Sequence, residues 1–241
     1  MIEIQPRDDL EHRIWRTVLE LADRQREGWT LVGAQMVMLH AWQHGVEPTR
    51  TSRDLDVLVN IKALAGGTQQ FARQLLDAGF ELGVVTPDGR GHRFVRGEIM
   101  IDVLAADNLG DRADLTTIPP ARTIEVPGGS QALRRTELVD VSLAEQVGRL
   151  PRPSMLGAIL LKARAAGVDP DPERHVADLA FLLSLADDPF ELAEELTPKE
   201  QRYVGARRGL LDPNHPAWRA VPNAERGLAT LAVLAGRWGL T

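Results

Sequence analysis

Apolar residues at Leu10, Ile14, Val18, Leu19 and Leu21, with polar residues between them, predict an amphipathic helix over 10–26. Trp29 to Val32 is a short apolar run, read as a strand. Gly33 stands at a corner before a second helix over 35–44, which Gly45 and Pro48 break. Residues 54–59 read as the next strand, 63–78 as a helix stopped by Gly79, and 80–85 as a further strand. Pro87 to Gly91 is turn chemistry. One hairpin is predicted from 92–96 and 98–104 about Gly97, and a second from 122–126 and 131–135 about Pro127, Gly128 and Gly129.

Beyond Pro153 the period changes, and 154–166, 172–185, 198–208 and 224–238 all read as helices. The boundary is placed at Leu150-Pro151-Arg152-Pro153. An α/β or α+β domain over 1–150 is therefore followed by a helical domain over 151–241, with a ligand cleft expected between them.

At 241 residues, 44% hydrophobic and 26% charged, the chain can bury the cores of two modest domains. It carries no cysteine, which excludes disulfides, thiolate metal sites and a cysteine nucleophile. Carboxylate, histidine and lysine chemistry remain. A net charge of −6 weighs against a general basic surface for nucleic acid. Lys62, Lys162 and Lys199 are the only lysines. No apolar run is long enough to span a bilayer, and the charged start does not resemble a secretory signal, so a cytoplasmic protein away from the membrane is expected.

The residues that carry chemistry are acids placed inside apolar strands. Asp54 and Asp56 share one side of their strand while Leu55, Val57 and Val59 share the other. Two like charges side by side repel unless a cation lies between them, and Mg²⁺ resolves that conflict with oxygen ligands. Asp102 is a third acid, set between Met100-Ile101 and Val103-Leu104. If its strand lies beside the first, three carboxylates converge. Gly33, at the start of a helix, lets backbone N–H groups approach a phosphate. The histidines His40 and His44 have zinc-protease spacing, but Ala41 stands where the glutamate of that motif belongs.

Leu31-Val32-Gly33-Ala34-Gln35, the polar stretch Thr49 to Arg53, and Asp54-Leu55-Asp56-Val57-Leu58-Val59 together resemble the signature of the polymerase-β-like nucleotidyltransferase superfamily. Within it the chain looks most like the AbiEii and MenT toxin group. The resemblance implies an α+β fold, a small mixed β-sheet with flanking helices followed by a helical C-terminal domain. It implies transfer of a nucleoside monophosphate from an NTP to a hydroxyl, with Asp54, Asp56 and Asp102 holding Mg²⁺ or Mn²⁺ and Asp102 doubling as general base. Gly33, Ala34, Gln35 and Arg53 would contact the nucleotide. Ala34 departs from the pattern, which has Gly or Ser there.

The helical half extends the likeness through Lys162 and through Arg174 and Asp178, which lie one turn apart on a helix. By resemblance Lys162 contacts the triphosphate, Asp178 positions Lys162, and Arg174 meets phosphate or acceptor. The competing reading is an ion pair of Asp178 with Lys162 or Arg174 that ties two helices together. The acceptor implied is a tRNA end, with an antitoxin as partner, or a small molecule as in antibiotic-modifying enzymes. A non-catalytic nucleotide- or partner-binding protein is the rival outside enzymology.

Overall fold

The computed structural model describes residues 1–64, 66–111 and 113–236. After a short β1 (Ile2–Glu3), α1 (Asp9–Arg24) starts where the Asp8 side chain accepts from the Glu11 N–H, and it buries Ile14, Trp15, Val18 and Leu19. β2 (Trp29–Val32) runs into α2 (Gly33–Gln43), and β3 (Asp54–Val59) follows a polar loop. α3 (Gly67–Asp77) leads to β4 (Glu81–Leu82), then the hairpin of β5 (Arg93–Arg96) and β6 (Ile99–Ala106).

These strands form one mixed sheet in the order β2-β3-β6-β5-β4. β3 and β6 are parallel neighbours at its centre, and β2 and β5 flank them antiparallel. Their runs of Val, Leu and Ile suit strands covered on both faces. Leu55, Val57, Ile101 and Val103 pack one face onto α1 and α3, while Val32, Leu58 and Leu104 join a second core with the later helices.

Residues 122–135 correct the second predicted hairpin. Only β7 (Glu125–Val126) is strand, and it pairs with β6; α4 (Gly129–Arg134) is a helical turn. The Asp107 carboxylate explains the difference, because it accepts from the Gly128 and Ser130 N–H groups and so draws the chain into a helix start. A further hairpin was not predicted: β8 (Thr136–Leu143) and β9 (Gln146–Pro153) pair along their length and join β1 in a second sheet. β9 runs through Leu150–Pro153, the segment where the sequence pattern changes.

α5 (Met155–Ala165), capped by the Ser154 side chain, and α6 (Glu173–Leu185) follow, then α7 (Pro189–Glu194), α8 (Pro198–Gly205) and α9 (Ala224–Leu234). The expected end of the last helix at Trp238 lies outside the described residues. α3 starts later than predicted because Gly66, at φ 68°, breaks the turn before it. β4 is shorter than predicted, and Val84 beyond it is exposed. α5 and α6 pack on each other and on α2, and the C-terminal end of α5 and the N-terminal end of α6 border the carboxylate side of the sheet. Among the described residues no helix is long and apolar enough to cross a membrane.

Candidate active site

Register places four residues in one row across the sheet. Val32 lies opposite Asp56, Asp56 opposite Asp102, and Asp102 opposite Arg93. Asp54 faces the same side as Asp56, by the two-residue period of a strand. This row floors a cavity of about 460 Å³ whose other walls come from the Arg50–Ser52 loop, from α5 through Lys162, and from α6 through Arg174 and His175.

Gly33 closes one end of the row. Its φ is 70°, and an added β-carbon would fall on the Asp56 carboxylate, 2.8 Å from Cγ. Both the left-handed backbone and the close approach require glycine there. No side chain caps α2. Its first-turn amides are therefore open to an anion, which the helix dipole favours. Ala34 is buried and lines the cavity.

The acids are short of compensating charge. Burial pushes the Asp56 carboxyl up to about 6, and the nearby Asp102 and Asp54 charges push the same way against Lys162 and Arg174. Oxygen donors of this kind suit a hard divalent cation such as Mg²⁺ or Mn²⁺. Asp54, Asp56 and Asp102 share a wall, but among the described residues no three acid or histidine side chains are drawn together as a ready metal-ligand cluster. Arg93 takes up part of that role. Its Nε and Nη2 donate to the two Asp102 oxygens at 2.8 Å each, and Nη2 also reaches Asp54 at 3.4 Å.

Behind the cavity, Asp178 is buried and accepts from Arg50 Nε at 2.7 Å and Nη2 at 2.5 Å, while Lys162 Nζ lies 2.7 Å from Oδ2. Burial alone would raise this carboxyl, but Lys162 and Arg50 together outweigh it and hold it below the ordinary carboxylate range. The Lys162–Asp178 pair ties α5 to α6, and Lys162 also borders the cavity. Arg174 does not pair with Asp178; it donates to Asp169 at 3.3 Å from the cavity rim, and His175 Nε2 lies 2.8 Å from the same carboxylate.

Two expected nucleotide contacts are placed elsewhere. Gln35 is buried beneath the site, where its amide donates to the Ser52 carbonyl at 2.9 Å and so holds the loop. Arg53 is exposed and does not line the cavity. Besides Lys162 and Arg174, the cavity is lined by two cations that the residue pattern did not single out, Arg50, six residues before Asp56, and Arg93. His40 is buried against the Pro153 carbonyl rather than near the cavity, and His44 turns to Asp187.

The chain matches no protein-family model and no curated protein. Among solved structures it is similar to an antigenic nucleotidyltransferase-like protein from Paracoccidioides brasiliensis, with a TM-score of 0.55 at 14% identity, over 89% of this chain and 94% of that one. Two structures of ANT(2'')-Ia are also similar. One is a solution structure of this antibiotic-resistance factor (TM-score 0.43, 15% identity, 84% of this chain, 93% of that chain). The other is a complex with adenylyl-2''-tobramycin (TM-score 0.40, 14% identity, 95% of this chain, 99% of that chain). With its central β2-β3-β6-β5-β4 sheet and flanking helices, the chain has the nucleotidyltransferase fold.

Proposed function

We propose that the chain is a metal-dependent nucleotidyltransferase that moves a nucleoside monophosphate from an NTP to a hydroxyl acceptor and releases pyrophosphate. One observation carries this reading: Asp54, Asp56 and Asp102 lie on one face, beside the uncapped start of α2, in a single cavity. The α2 amides and Lys162 bind and orient the triphosphate. Asp54, Asp56 and Asp102 would hold Mg²⁺ or Mn²⁺, which supplies Lewis-acid polarisation of the phosphoryl oxygens when bound. Asp102 accepts the proton of the attacking hydroxyl. The new bond runs from the acceptor oxygen to the α-phosphorus, and the bond to the bridging oxygen of pyrophosphate breaks. Arg50 and Asp178 position Lys162 from behind.

The residue pattern shared with AbiEii and MenT toxins supports a tRNA end as acceptor and an antitoxin as partner. The net charge of −6 supports a small hydroxyl compound instead, because few phosphates could be neutralised along the surface. Incubation with each α-labelled NTP, Mg²⁺, and either total RNA or a panel of small polyols and aminoglycosides separates the two. Label should pass to one class with the wild type and to neither with Asp54→Asn or Asp56→Asn. Transfer that survives both substitutions excludes this site.

A non-catalytic nucleotide-binding protein is the second reading. The Arg93 fork favours it, since Asp102 and Asp54 already have a cation. NTP binding without transfer to any acceptor is its signature.

A further inference from the structure

We propose that Arg93 is an exchangeable cation: it compensates Asp102 and Asp54, and gives up that place to a divalent ion to bind the phosphates of the nucleotide. The proposal rests on the nucleotidyltransferase reading above, and assigns to this site a residue that the sequence pattern does not single out.

Three observations carry it. The first is position: Arg93 stands in the same sheet row as Asp56 and Asp102, and its guanidinium spans the Asp102 and Asp54 carboxylates that a divalent cation would need. The second is anchorage. Among the described residues its side-chain hydrogen bonds run to Asp102 and Asp54 and to no backbone carbonyl, so whatever neutralises those acids also releases it. Its side chain is 41% exposed at the cavity wall, which leaves it room to turn. Arg50 provides the contrast. Its fork grips Asp178, whose side chain is 1% exposed and is also held by Lys162, so Arg50 is fixed.

The third is charge balance. Three carboxylates share the row, and among the described residues the Arg93 hydrogen bonds reach Asp102 and Asp54 but not Asp56. The acid row therefore attracts a doubly charged ion more strongly than one delocalised guanidinium can satisfy it. Once displaced, Arg93 stays tethered in the same cavity as Lys162, at the opposite end of the row from the α2 amides, and a planar fork of this kind suits a phosphate oxygen pair. The same side chain is then a competitor of the metal and a partner of the nucleotide.

Those two roles predict opposite effects of one substitution. Mn²⁺ binding without nucleotide is measured by electron paramagnetic resonance, and binding of Mn²⁺ with a non-hydrolysable NTP analogue by calorimetry. Arg93→Ala should bind Mn²⁺ alone about tenfold more tightly and the Mn²⁺–nucleotide complex about tenfold more weakly. Arg93→Gln, which keeps length and polarity, should follow in the same directions and stands in if the alanine variant does not fold. Unchanged or weaker Mn²⁺ binding in the folded variant overturns the exchange. Unchanged nucleotide binding overturns the phosphate role. Asp54→Asn separates this proposal from the reading beneath it. If that variant loses Mn²⁺ while Arg93→Ala leaves Mn²⁺ unchanged, only the Arg93 proposal fails. If Asp54→Asn binds Mn²⁺ as the wild type does, the acid row is not the cation site and both fail.

Discussion

Substituting Gly33 by alanine tests whether the contact between the corner and Asp56 shapes the site. Two costs add. A β-carbon at φ 70° is strained by about 1–2 kcal/mol. The same β-carbon would overlap the Asp56 carboxylate, and forced repacking of that kind costs about 1–3 kcal/mol. Gly33→Ala should therefore lose about 2–5 kcal/mol in urea denaturation followed by circular dichroism. Gly45 is the control, since its φ is 64° and nothing lies within 4 Å of an added β-carbon. Gly45→Ala should cost only the strain of about 1–2 kcal/mol. In an Asp56→Ala background the carboxylate is gone, and the cost of Gly33→Ala should fall towards that of Gly45→Ala, a coupling of about 1–3 kcal/mol. An equal cost in both backgrounds would mean that the Asp56 carboxylate does not crowd the corner.

Other outcomes follow from the charges. Asp178→Ala leaves buried Lys162 without its carboxylate and should cost about 3–5 kcal/mol of unfolding free energy, whereas Asp178→Asn, which keeps a hydrogen-bond acceptor, should cost less. Asp56 has the opposite sign. Its native pKa of about 6 lies above the ordinary 3.8, so the native state holds the proton more tightly. Its contribution is present below about pH 4 and is lost as pH rises through about 6, on the order of 2–3 kcal/mol. Asp56→Asn should remove that fall from urea titrations at successive pH values; an unchanged fall would contradict the assignment. Gln35→Met removes the hold on Ser52 while filling the same space. It should keep stability within about 1 kcal/mol and weaken nucleotide binding measured by calorimetry.

The acids of the site could be read from the chain because each breaks a local rule. Asp54 and Asp56 share a strand side, and Asp102 is the one charge in an apolar strand. Gly33 declares a corner. Their convergence depends on the parallel pairing of β3 with β6, which no local pattern reports.

Arg93 was within reach of the sequence. A tight turn at Gly97-Glu98 sets Arg96 opposite Ile99, and counting back along the hairpin sets Arg93 opposite Asp102. Arg50 was not, because its pairing with Asp178 spans 128 residues of chain. The β8–β9 hairpin escaped for a different reason. Pro151, Pro153 and interleaved charges hide its alternation, as they do in strands near a sheet edge. The false hairpin at 122–135 came from reading Gly128-Gly129 as a strand turn, when a distant carboxylate, Asp107, makes it a helix start.

The most direct test of nucleotidyl transfer is a paired-label assay with the preferred NTP, Mg²⁺ and acceptor. One reaction carries the label on the α-phosphate and the other on the γ-phosphate. Nucleotidyl transfer at this site puts α-label on the acceptor and releases γ-label as pyrophosphate in equal amounts, and Asp56→Asn loses both. Release of γ-label as orthophosphate, or α-label transfer unaffected by Asp56→Asn, would contradict it.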